Sequence, residues 1–169
     1  IIELKYQIDK CHHPKKILYA KKNGFIKNAF YLNRFKRVFV DVGEPIYAPT
    51  EIISLNPKTN KFISKKTKID FDKFRLKENQ IVLTRSGSVG KLSIVSKTLA
   101  NKLFSDDLIR MDVSDFNDLG YVYSFMKSKY GQKLITTSSY GSVITHLEPE
   151  HLMRIEIPNP SQEFKKSIN

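Results

Sequence analysis

Apolar and polar positions alternate in short runs along most of the chain, with turn residues between the runs, and this pattern predicts a succession of short β-strands. The predicted strands cover residues 38–42, 52–55, 80–84, 92–96, 108–113 and 154–157. Gly43-Glu44-Pro45 and Asn56-Pro57-Lys58-Thr59-Asn60 read as turns, because glycine permits positive φ while proline fixes φ and removes a donor. One stretch has a different period. Leu119, Val122, Tyr123, Met126 and Tyr130 recur at i, i+3, i+4, which places them on one stripe of an amphipathic helix. Ser114, Asn117 or Asp118 would cap it and Gly131 would end it. Several short strands and one clear helix predict an α+β fold.

Composition supports a single packed domain. The chain has 169 residues, 40% hydrophobic, with eleven Phe and eight Tyr, which is enough to build a core without disulfides or a metal. No repeat, low-complexity tract or linker marks an internal boundary. Cys11 is the only cysteine and cannot form an internal bridge, so a reducing compartment, the cytoplasm, is expected. No apolar run approaches the roughly 20 residues that span a bilayer, so no membrane role is expected. The first residue is Ile rather than Met, and an earlier start to the chain is expected.

Charge is unevenly spread. Lys+Arg number 29 against 17 Asp+Glu, a formal net charge of +12. Residues 10–40 hold nine basic side chains, Lys10, Lys15, Lys16, Lys21, Lys22, Lys27, Arg34, Lys36 and Arg37, and no acid. Residues 58–77 hold eight, among them Lys58, Lys61, Lys65 and Lys66, against Asp70 and Asp72, whereas the rest of the chain is near balance. A focused positive field attracts polyanions, and Lys and Arg contacts to phosphate release counterions from duplex DNA. A solvated lysine-rich surface is the alternative reading. Aromatics interleave with these charges at Phe25, Phe30, Tyr31, Phe35 and Phe39. Alternation on a strand accounts for them better than a stacking platform for single strands, so duplex binding ranks first.

Two Gly-Ser-Val loops carry candidate chemistry: Thr84-Arg85-Ser86-Gly87-Ser88-Val89-Gly90, and Ser139-Tyr140-Gly141-Ser142-Val143-Ile144 followed by His146-Leu147-Glu148-Pro149. The first is not a nucleotide-binding loop, because Arg85 and Leu92 stand where that motif needs Gly and Ser/Thr. Between two apolar runs it reads as the turn of a β-hairpin, with Arg85 at its mouth, free to reach guanine or phosphate, or else paired to Asp106 or Asp107. Cys11-His12-His13 lack distant partners, and His146 and His151 lack helical ligand spacing, which argues against zinc. Asp106 and Asp107 are adjacent and would point to opposite faces of a strand. Ser138, Ser139 and Ser142 near His146 form no nucleophile elbow. A glycine-rich turn for S-adenosylmethionine is also missing, so binding outranks catalysis.

The second half of the chain resembles the target recognition domain of a type I restriction-modification specificity subunit. The resemblance runs through residues 80–90, Ser105-Asp106-Asp107-Leu108-Ile109-Arg110, residues 120–128, Gly141-Ser142-Val143-Ile144 through His146-Leu147, and Leu152-Met153-Arg154-Ile155-Glu156-Ile157-Pro158-Asn159-Pro160. Gly43-Glu44-Pro45-Ile46-Tyr47 and Ile63-Ser64-Lys65-Lys66 are similar to upstream elements of that family. The resemblance implies a DNA target recognition domain over residues 1–160, α+β with a curved, double-β-helix-like sheet, and the start of a conserved dimerisation helix, cut short, over residues 161–169. It implies a non-catalytic reader of one half of a bipartite double-stranded DNA target. Its partners would be a methyltransferase subunit, an ATP-driven restriction subunit, and a second recognition half or copy joined through the helix. S-adenosylmethionine, ATP and magnesium would then belong to the partner subunits, with no cofactor in this chain. Phosphate contacts would come from Lys21, Lys22, Lys27, Lys36, Arg37, Lys58, Lys61, Lys65 and Lys66. Arg85, Ser86, Ser88, Tyr140 and Ser142 would read bases, joined by Asn23, Asn28, Tyr31, Arg34 and Asn60. The recognition domain of a fused restriction enzyme and methyltransferase is the near alternative, and a small magnesium-dependent nuclease or nucleotide-binding enzyme the distant one.

Overall fold

The structure is a computed structural model that describes residues 24–137 and 146–168. Its strands form two open, four-stranded sheets. The first is antiparallel throughout, in the order β1 (Ile26–Phe30), β8 (Leu108–Val113), β5 (Ile81–Thr84), β6 (Leu92–Ile94). The second runs β2 (Phe39–Val40), β4 (Phe62–Ile63), β3 (Glu44–Tyr47), β7 (Leu103–Phe104), with β3 and β7 parallel. With the helices described below, this is the expected α+β class.

Strand β5 organises the interior, because all four of its residues are buried and its side chains alternate between two apolar clusters. Ile81 and Leu83, with Ile109 and Met111 opposite them on β8, face helices α2 (Leu119–Lys127) and α3 (Lys129–Thr137). Val82 and Leu108 face the other way, onto Ile52, Leu76 and Phe104. A third cluster of Ile46, Ile63, Phe74 and Leu103 fills the side of the second sheet. Each fully buried aliphatic side chain of this kind stabilises the fold by about 1.5–3 kcal/mol.

Arg110 lies on the second face of β8, opposite Val82, and is only 3% exposed. Its guanidinium donates to the carbonyls of Lys73 (2.7 Å), Phe74 (2.7 Å) and Arg75 (3.0 Å) at the end of the short helix α1 (Phe71–Phe74). Burial pushes its pKa down to about 10, so it stays charged at neutral pH. The charge is met by helix C-terminal carbonyls, where the macrodipole favours a cation.

Several expected elements differ. Residues 52–55 are not a strand: Pro49–Ile53 is a 3₁₀ turn with Pro at its start, which buries Ile52 and leaves Leu55 exposed. Glu44 and Pro45 belong to β3 rather than to a turn. Residues 154–157 follow α4 (Pro149–Met153) without strand structure; Ile155 and Ile157 still alternate into the core, and the Tyr121 hydroxyl donates to the Pro158 carbonyl at 2.7 Å. The helical stripe is divided between α2 and α3 at Ser128, whose backbone is extended. Gly131 does not end a helix. It lies inside α3, where the helix crosses the last turn of α2 so closely that a Cβ would overlap the Phe125 carbonyl oxygen.

The segment expected to begin a dimerisation helix holds the five-residue helix α5 (Gln162–Lys166), packed on the domain. The Ser161 hydroxyl caps it by accepting from Phe164 N–H. Phe164 meets the Tyr121 ring edge-on, and the buried Lys165 ammonium lies 2.9 Å from Asp118 and 5.1 Å from the centre of the Phe25 ring.

Candidate nucleic-acid interface

The first Gly-Ser-Val loop is the turn between β5 and β6, as its flanking apolar runs predict, with register Ile81↔Ile94, Val82↔Ser93 and Leu83↔Leu92. Gly87 and Gly90 take φ of 68° and 82°, a region that disfavours other residues. The Thr84 hydroxyl donates to the Ser88 carbonyl and accepts from Lys91 N–H, which closes the loop on itself. The second loop, with Tyr140 and Ser142, lies outside the described residues, as do Lys21, Lys22 and Asn23. The residues after that loop return to the first one: Ser86 bridges His146, and Leu147 N–H donates to the Arg85 carbonyl at 3.0 Å.

An ion-pair hub forms at the end of the β5–β8 ladder. Arg85 Nη2 lies 2.5 Å from Glu148 Oε1 and Arg85 Nη1 4.0 Å from Asp107 Oδ1, while its guanidinium carbon sits 4.1 Å from the centre of the Tyr31 ring. The Ser86 hydroxyl donates to the other Asp107 oxygen. Burial pulls the Arg85 pKa down, but the hydrogen bond and charge of Glu148, with Tyr31 and Asp107, more than reverse this and leave it above the ordinary value. Glu148 also caps α4: its side chain accepts from His151 N–H, and its own N–H donates to His151 Nδ1 at 3.3 Å. Asp106 pairs with Arg37, which donates from Nη2, and stands 4.0 Å from Arg34 Nε.

Asp106 and Asp107 therefore serve different partners, though from the connection between β7 and β8 rather than from a strand. Both arms of the sequence alternative for Arg85 are bounded by this geometry, since its closest acid is Glu148. Proline directly after Glu148 is the helix-start signature that singles this residue out in the sequence.

The remaining candidates are distributed over the surface. Lys27 and Asn28 on β1, Lys36, Lys58, Asn60, Lys61, Lys65, Lys66 and Ser88 are exposed, and Tyr31 is partly so. Asn60 and Lys61 line a surface cleft of about 500 Å³ with Phe39, Val40, Asp41 and Phe62; Phe39 is 55% exposed there. Lysines 58, 61, 65, 66 and 68 follow one another along the segment through β4 with no acid among them. Phe35 packs edge-on against Phe74 at 4.7 Å, so the aromatics of residues 25–39 divide between core and surface. Among the described residues no three His, Cys, Asp or Glu side chains gather as a metal site, and no helix is long and apolar enough to cross a membrane.

Fold and surface together define a basic α+β domain with exposed lysines along residues 58–68 and an arginine hub at the end of the β5–β8 ladder. The chain belongs to the family described as the type I restriction modification DNA specificity domain, whose model matches residues 20–168. A solved structure reported for complex assembly and conformational transition of the type I R-M system shares its fold, with a TM-score of 0.52 at 14% identity, covering 98% of this chain and 42% of that one. The type I restriction-modification S subunit from M. genitalium aligns at 18% identity over 83% of this chain and 33% of its own, TM-score 0.48. The HsdS subunit from Thermoanaerobacter tengcongensis aligns at 14% over 90% and 40%, TM-score 0.46. The chain thus spans less than half the length of the solved chains it matches. No curated protein matches the sequence.

Proposed function

We propose that this chain is a target recognition domain that reads one half of a bipartite double-stranded DNA site for a cytoplasmic type I restriction-modification complex. The observation that carries this reading is membership of the DNA specificity domain family over residues 20–168. The exposed lysines support it physically, because phosphate contacts position such a domain while a few loop side chains read base edges. The domain itself is non-catalytic in this reading. A methyltransferase subunit and a restriction subunit are the partners, with S-adenosylmethionine, ATP and magnesium bound to them.

Methylome sequencing of a host that carries the intact system tests the reading: a bipartite methylated motif is expected, and its absence would overturn the proposal. Magnesium-dependent cleavage by the intact protein without partners would overturn the non-catalytic assignment. For the footprint, combining Lys65→Ala with Lys66→Ala is expected to lower the dependence of log affinity on log salt by about two if both touch phosphate. Titrations of the intact protein with duplex DNA at several salt concentrations measure that slope, and an unchanged slope removes this segment from the interface.

A further inference from the structure

The hub distributes three arginines over three carboxylates, and the distribution is unequal. Arg85 is 21% exposed, with Glu148 on one nitrogen, Asp107 near another and Tyr31 across its face. Arg37 is 30% exposed and hydrogen-bonded to Asp106. Arg34 is 89% exposed and stands 4.0 Å from Asp106, a carboxylate that Arg37 already engages. A 4.0 Å contact made by a solvent-exposed arginine is weak, and Asp106 keeps Arg37 as its partner, so Arg34 can turn away at little cost. Withdrawing Arg85 or Arg37 would instead take the close cationic partner from Glu148 or Asp106, both largely shielded from solvent.

Resting on the DNA-reading function proposed above, we infer that Asp106, Asp107 and Glu148 are positioning residues that consume Arg37 and Arg85 as ties, and that Arg34 is the specificity arm that reads a base edge. The ties join four chain segments: residues 31–37, the start of the β5–β6 turn, the β7–β8 connection and the entry to α4. They fix the backbone from which Arg34 projects, as a reading side chain requires. A guanidinium presents a planar fork that matches the O6 and N7 acceptors of guanine, so the target class is a guanine in the major groove.

The test compares the binding of intact protein to a duplex carrying the methylated motif and to a scrambled duplex, alongside thermal unfolding. Arg34→Ala is expected to reduce cognate binding about tenfold or more with little effect on scrambled DNA and no shift in melting temperature. Arg34→Lys keeps the charge without the fork, and should leave scrambled binding unchanged while failing to recover cognate preference. Arg85→Lys and Glu148→Gln are expected to lower the melting temperature while keeping the ratio of cognate to scrambled affinity. A preserved ratio in both Arg34 variants, or loss of the ratio in Arg85→Lys at unchanged melting temperature, would overturn the assignment. A parent protein without cognate preference would remove the DNA-reading function, and this inference with it.

Discussion

Replacing Arg110 with methionine is expected to lower the unfolding free energy by about 3 kcal/mol. The side chain volume and its apolar stem are kept, so cavity formation contributes little. What is lost is the set of three donors that satisfies the Lys73, Phe74 and Arg75 carbonyls, of which the bond to Phe74 is buried and the other two are part-buried. Each carbonyl left without a donor costs about 1–3 kcal/mol, partly offset because a buried cation no longer has to be desolvated. Arg110→Lys should fall between parent and Arg110→Met, since a compact ammonium keeps the charge but cannot span the three carbonyls as a planar fork does. Urea unfolding measures both. A midpoint for Arg110→Met within error of the parent would mean that this arginine does not hold α1 to the first sheet.

Gly131→Ala gives the second large effect, and its sign separates two contributions. Alanine is favoured over glycine inside a helix by roughly 1 kcal/mol, so propensity alone predicts stabilisation. Packing predicts the opposite: the added methyl would overlap the Phe125 carbonyl oxygen and stand 2.7 Å from Met126 Cα, both of them backbone atoms of α2. The crossing is held by several bonds that a shift would stretch. The Ser128 hydroxyl donates to the Phe125 carbonyl at 2.6 Å and accepts from Gly131 N–H, and Gln132 Nε2 donates to the Met126 and Gly90 carbonyls. Overpacking against backbone should win and destabilise the domain by about 3 kcal/mol, read as a fall in the denaturation midpoint. A rise in the midpoint would show that α3 can back away from α2 freely.

The legible parts of the fold are those where local pattern and tertiary environment agree. Residues 108–113 alternate because their two faces meet two different cores, and the strand has the expected bounds. The β5–β6 turn was legible because glycines sit where the backbone needs positive φ. Strand β1 was hidden by a register shift between Ile26 and Asn28, which breaks the two-residue period on which recognition depends. Residues 154–157 have the period of a strand without its hydrogen bonding, since alternation records only which side chains are buried. Gly131 reads in sequence as a helix stop, and only the approach of α2 shows that it is a contact.

Charge counting along the chain treats Arg34 and Arg37 as free cations, like the exposed lysines. Arg34 and Arg37 belong to a stretch without acids, yet their counterion Asp106 arrives from a distant part of the sequence that by itself looked balanced. Glu148 and Arg85 are separated in the same way. Net charge per segment treats every ion as solvated, and pairing across the fold is invisible to it. The family resemblance, by contrast, was legible from the order of its motifs, and the match over residues 20–168 bears it out.

The strand order β1-β8-β5-β6 also imposes a schedule on synthesis. The hairpin of β5 and β6 closes a short loop, and β8 can add to it soon afterwards, but Ile26 pairs with Val113 and so waits for most of the domain to be made. At ~5–20 residues per second, β1 spends on the order of ten seconds outside the ribosome as an unmatched strand. Lys27 and Asn28, both exposed on this edge strand, place polar side chains where an unpaired strand would otherwise invite pairing with another chain.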